Sequence, residues 1–141
     1  MPVFAADGRR TSPNRVMGAV VGAVFVLIGA LGFTTTWDVA FFGTSGALLF
    51  GQLQVNPAQN LVHIFGGAAL ITASAISVPA ARTTNAVGGA LSLLMGLTGL
   101  FLVGSPANLV AVSPLGNLLH FAAAVLLLAV GLGVEQEEKQ R

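Results

Sequence analysis

The chain is 141 residues long, 55% hydrophobic and only 8% charged, with a formal net charge of +1. A soluble domain carries about 25% charged residues, so this chain has too few to clothe a water-soluble core. The absence of Cys excludes disulfides, thiol chemistry and Cys-ligated metals, and a near-neutral chain with scattered basic residues is a poor partner for nucleic acid.

Residues 1–15 read as an N-terminal segment containing Arg9, Arg10 and Arg15. From Val16 to Phe33, the run VMGAVVGAVFVLIGALGF holds no charged side chain. As a helix it rises about 27 Å, close to the hydrocarbon thickness of a bilayer. It exceeds a signal-peptide core and no small-x-small cleavage site follows, so it reads as a retained transmembrane helix over 16–33.

Segment 34–57 is an outer loop. Trp37, the only Trp, stands where an interface anchor belongs. Within the loop, GALLFGQLQV (Gly46 to Val55) is too short to span. It reads as a short interfacial helix, along the outer interface or over the bundle mouth, or else as a kinked early extension of the second helix.

The second helix is expected over 58–78, halted by Pro79, where continuation would lose a hydrogen bond. Arg82 then falls in a connection. The third helix is expected over 86–103, the fourth over 115–134, and residues 135–141 form a tail with Lys139 and Arg141. The fold class is therefore all-α: an integral membrane four-helix bundle built from two tandem transmembrane hairpins. Every Lys and Arg falls on one side of that arrangement. By the positive-inside rule both termini and the Arg82 connection are cytoplasmic, as expected of a multi-pass membrane protein.

A polar phrase occurs twice. NPAQNLVH (Asn56 to His63) and SPLGNLLH (Ser113 to His120) each set an N-cap residue before Pro, then Asn, then His. Cap plus Pro at the first helical position marks a helix start. Asn60 and Asn117 then lie about one turn in, and His63 and His120 nearly two turns in, on the same faces. GALGF (Gly29 to Phe33) echoes GLTGLF (Gly96 to Phe101) more weakly. Together these read as an internal repeat that places both histidines at one depth on different helices.

Gly18, Gly22, Gly29 and Gly32 share a face of the first helix, and Gly89, Ser92, Gly96 and Gly99 share one of the third. Asn60, His63, Gly67, Ser74 and Ser77 form a stripe on the second. Helices in lipid associate through close backbone packing and polar contacts, so these are expected helix-packing faces.

The stretch SGALLFGQLQVNPAQNLVHIFGG, the later NLLH and the four-helix layout resemble a bacterial membrane family, domain of unknown function 4383, over about Val16 to Val134. Where members often carry a His before the Asn, this chain has Gln59. It also lacks the Asp that many members place before the fourth helix, the one acid that could have paired with His120. The resemblance implies a four-helix integral protein of a bacterial cytoplasmic membrane and supplies no activity.

Ionisable residues within a membrane are functional candidates, and here they are His63 and His120. One expectation is structural, with each imidazole bonded to a backbone carbonyl or to an Asn of a facing helix. The other is a cofactor site, with haem b held between the two histidines of a membrane electron-transfer protein. Two ligands are too few for a zinc site, so no metal is expected. Asp38 stands alone in a loop and the hydroxyls lack a base at motif spacing, so no catalytic residues and no enzyme are expected. The first expectation for function is an accessory or scaffolding subunit, with no cofactor, that packs against lipids, a membrane-protein partner or its own copies. Haem-mediated electron transfer and a minor transport component are the alternatives.

Overall fold

The structure, a computed structural model, describes residues 12–133. Arg9, Arg10, Lys139, Arg141 and the 135–141 tail lie outside the described residues. Four helices, each long and apolar enough to cross a membrane, make up the body: α1 (Pro13–Gly32), α2 (Pro57–Ile76), α3 (Val78–Leu102) and α4 (Pro114–Leu132). A small antiparallel hairpin, β1 (Ala47–Leu49) and β2 (Leu53–Val55), lies between α1 and α2. The most extensive packing is α1 on α2 and α3 on α4, two tandem hairpins.

The helix starts follow from capping chemistry. Asn56 accepts from the Gln59 amide at 2.8 Å and Ser113 from the Gly116 amide at 3.2 Å, each followed by Pro where no amide hydrogen is required.

The α2–α3 junction departs from expectation. There is no connection around Arg82, because α3 begins eight residues before the expected 86, at Val78. Ser77 is at once the last cap of α2 and the first of α3. Its amide donates to the Ala73 carbonyl, and its hydroxyl accepts from the Ala80 amide at 3.2 Å. Its φ of −163° and ψ of 162° turn the chain within that one residue. Pro79 therefore opens α3 rather than closing α2, since Pro is tolerated in a first turn.

The second correction is in the outer loop, where Gly46 to Val55 is not a helix. Ala47 pairs with Val55 and Leu49 with Leu53, around a turn in which the Gln52 amide donates to the Leu49 carbonyl. Phe50 (φ 53°) and Gly51 (φ 71°) both adopt left-handed backbone, which a helix cannot contain but a tight hairpin turn requires. Leu49, Leu53 and Val55 point inward against Ile28, Leu115 and Leu119, so the hairpin lids the mouth of the bundle. Asn56 ties the lid down, donating from Nδ2 to the carbonyls of Gly43 (3.1 Å) and Leu109 (2.9 Å).

Inside the helix pairs, the small-residue faces bring backbones together. A Cβ on Gly22 would stand 2.7 Å from the Gly67 carbonyl oxygen, and one on Gly89 would stand 2.9 Å from the Leu128 amide nitrogen. Gly18, Gly29, Gly32, Ser92, Gly96 and Gly99 are likewise buried. These faces are consumed within the chain, so they do not supply a surface for a partner.

Candidate functional site

The polar residues of the bundle sort into three levels. At the end opposite the lid, Arg15 donates to the Ser74 carbonyl at 2.7 Å and Arg82 to the Gly131 carbonyl at 3.1 Å. Arg15 stands in the first turn of α1 and Arg82 in the second turn of α3, and each satisfies a carbonyl in the last turn of its antiparallel neighbour. Between the hairpins at this level, the buried Asn85 amide donates to the Asn14 carbonyl (2.9 Å) and Oδ1 (3.0 Å).

Under the lid, Asn60 donates to Thr36 Oγ1 at 3.1 Å, and its amide oxygen fills the space that a Cβ at Gly32 would need. Asn117 sets its oxygen against Gly99 in the same way. Neither Asn bonds to a histidine, which corrects the structural expectation. Asn60 and Asn117 pack the helix pairs, and each small residue opposite is what admits the amide.

The third level is the imidazole pair. His63 on α2 and His120 on α4 approach to 5.6 Å between ring centroids, with planes 19° apart. Phe25 of α1 leans on His63 at 5.2 Å and 54°. The two histidines are 6% and 8% exposed, yet neither makes a hydrogen bond to any described residue, and His63 Nδ1 is fully enclosed without a partner. The equal depth expected from the repeated phrase is thus realised as contact, across two helices that otherwise scarcely meet.

Both rings line a cleft of about 480 Å³ in the seam between α2 and α3. Its walls include Val62 and Gly66 on α2 and Val87, Leu91, Ser92 and Met95 on α3. Along α3 it runs from Thr84 to Thr98, about 20 Å at the helical rise. A Cβ on Gly66 would meet nothing within 4 Å, so the cleft wall is open there. Val62, Val87 and Leu91, 54–62% exposed, form its outer lips. A volume in the range of small-molecule sites, apolar walls and few convergent polar groups make this the site where a ligand would sit.

Sequence reasoning found His63 and His120 but missed the cleft, together with Phe25 and Gly66. Ser92 was read as a packing residue and also borders the cleft. Gly66, adjacent to the packing residue Gly67, was the available signal: a second Gly about 100° around the helix, off the packing face. Trp37 is 84% exposed in the loop at the lid end, alongside exposed Phe41, Phe42 and Phe50 of the same outer segment.

Four apolar helices with polar residues at three levels define a small multi-pass membrane protein. A family model described as a domain of unknown function (DUF4383) matches residues 15–133, and the chain belongs to that family. No curated protein and no solved structure matches it.

Proposed function

We propose that this chain is a non-catalytic accessory protein of a bacterial cytoplasmic membrane, whose working face is the α2–α3 cleft, packed against an apolar occupant drawn from the bilayer. The observation that carries this reading is the contrast between seams. The α1–α2 and α3–α4 seams close backbone to backbone, whereas the α2–α3 seam stays open around two unpartnered imidazoles. The cleft offers imidazoles and hydroxyls but no carboxylate to orient them, which favours binding over catalysis. The chain reads as an internally repeated hairpin, supported by Arg15 and Arg82, and by Asn60 and Asn117, playing matching parts. Arg15 and Arg82 at one end of the bundle support, by the positive-inside rule, a reading in which that end and both termini face the cytoplasm.

The test is native mass spectrometry of the chain taken from its own membrane into nanodiscs. A retained lipid-soluble molecule or stoichiometric membrane partner, lost when Gly66→Leu fills the cleft, is the expected result. A bare chain, or retention indifferent to that substitution, refutes the reading.

A haem-b protein is the second reading, favoured by the 5.6 Å approach of two histidines from different helices. Against it, no Arg or Lys lines the cleft to meet haem propionates. A Soret band that disappears in both His63→Gln and His120→Gln would establish it; a colourless purified protein is expected.

A further inference from the structure

We infer that the occupant of the α2–α3 cleft is an uncharged membrane amphiphile with a planar, carbonyl-bearing head and a long apolar tail, a lipid quinone by chemical class. The inference rests on the cleft being the working face, as argued above.

The head is specified by what surrounds the imidazoles. His63 and His120 are more than nine-tenths buried, line the cleft and have no hydrogen-bond partner among the described residues. In hydrocarbon a polar group without a partner is costly, because no water is at hand to satisfy it. A neutral imidazole carries one N–H donor and one acceptor nitrogen, so a head with carbonyl acceptors meets the donors of the pair. No Asp, Glu, Lys or Arg lines the cleft, so a phosphate, carboxylate or ammonium head would be stranded there. The rings of Phe25, His63 and His120 pack on one another at 5.2 and 5.6 Å and all three line the cleft, so a planar head there would meet aromatic side chains.

The tail is specified by the rest of the cleft. Val87, Leu91 and Met95 give it apolar walls over about 12 Å of the cleft's length, along the helices and therefore along lipid chains. Thr98, near one end, keeps its hydroxyl on the Leu94 carbonyl at 2.9 Å and asks nothing of a ligand. The open wall at Gly66 lets a molecule already dissolved in the bilayer enter sideways.

The experiment is photolabelling of the full chain in phosphatidylcholine nanodiscs with an azidoquinone bearing a decyl tail, with labelled peptides mapped by mass spectrometry. Labelling is expected on the segments carrying His63 and Leu91–Met95, displaced by excess decylubiquinone and not by excess dioleoylglycerol. His63→Leu and Gly66→Leu should each reduce it at least tenfold, with folding verified by circular dichroism. Gly66→Leu leaves the imidazoles untouched, so it decides the matter even if His63→Leu fails to fold. Displacement by dioleoylglycerol as effective as by the quinone would overturn the quinone assignment while the cleft reading stood. Labelling spread over all lipid-facing helices, or unchanged in Gly66→Leu, would overturn the inference. Native-membrane retention that also ignored Gly66→Leu would remove the cleft reading beneath it.

Discussion

Arg15 donates from Nε to the carbonyl oxygen of Ser74 at 2.7 Å, closing the end of the helix antiparallel to its own. Arg82 does the same for Gly131. Carbonyls of a last helical turn have no partner within the helix, and a cation there also meets the negative end of its dipole. Arg15→Gln and Arg82→Gln should each destabilise the protein by about 1 kcal/mol, since partial exposure screens the interaction. Thermal unfolding in detergent measures this, and unchanged midpoints in both variants would make the contacts incidental.

The same two residues fix the expected orientation. Because the chain has no Cys, single-cysteine variants report without background. Asp38→Cys, in the exposed loop at the lid end, should react with a membrane-impermeant maleimide added to intact cells. Thr83→Cys, beside Arg82, should react only after the cells are opened. The reverse pattern would put the lid in the cytoplasm.

Two glycines on α2 separate packing from opening. Gly67 faces Gly22 of α1, and a methyl on Gly67 would stand 2.5 Å from the Gly22 carbonyl oxygen and 2.9 Å from the Val26 amide nitrogen. Gly67→Ala should therefore cost about 1–3 kcal/mol through overpacking. Its neighbour Gly66 has space around it, so Gly66→Ala should be neutral or stabilising by up to about 1 kcal/mol, the usual gain when a helical Gly becomes Ala. Equal effects at the two sites would mean that the α1–α2 contact is not what orders this pair.

The bundle was legible in the sequence because bilayer length, charge placement and cap-plus-Pro signals all report locally. The packing roles of Gly22 and Gly89 were legible as faces, through helical periodicity. Two elements were not. Pro79 carries the same local signal whether it stops one helix or starts the next, and only the double duty of Ser77 decides between them. The lid was obscured because Leu48, Leu49 and Phe50 form an apolar run that suits a helix. The alternation Leu53–Gln54–Val55 after Phe50–Gly51 was its period-two signature, over too few residues to prevail. The cleft was hidden for a different reason, since an open seam depends on how two hairpins lean together and no single helix encodes it.

The lid turn gives a prediction of its own. Gly51 sits at φ 71° with nothing within 4 Å of a Cβ, so Gly51→Ala would introduce backbone strain without a clash. It should loosen the hairpin by about 1 kcal/mol, seen as faster hydrogen exchange at the Gln52 amide, which bonds to Leu49. Phe50, at φ 53° and 77% exposed, already bears such strain. Phe50→Asn should slow that exchange or leave it unchanged, because Asn accepts left-handed backbone readily. Faster exchange in Phe50→Asn would show that the exposed ring holds the tip in place, as an interfacial anchor would.

The histidine pair yields the sharpest contrast. Had His63 and His120 bonded to Asn60 and Asn117, Leu at either position would strand a partner, and Gln would rescue it. Asn60 donates to Thr36 instead, Asn117 sets its amide oxygen against Gly99 without a hydrogen bond, and the imidazoles pack on each other and on Phe25. Removing a buried polar group that has no partner relieves a desolvation penalty instead of creating one. In ligand-free protein, His63→Leu and His120→Leu should therefore be neutral or stabilising by about 1 kcal/mol, with Gln no better than Leu. His63→Phe should do as well, since it keeps a flat ring against Phe25 and His120. A loss above about 1 kcal/mol in the Leu variants, restored by Gln, would reveal a protein partner for the ring and return the pair to a purely structural role. Stability gained together with loss of the retained bilayer molecule would be the signature of residues held at a thermodynamic cost for binding.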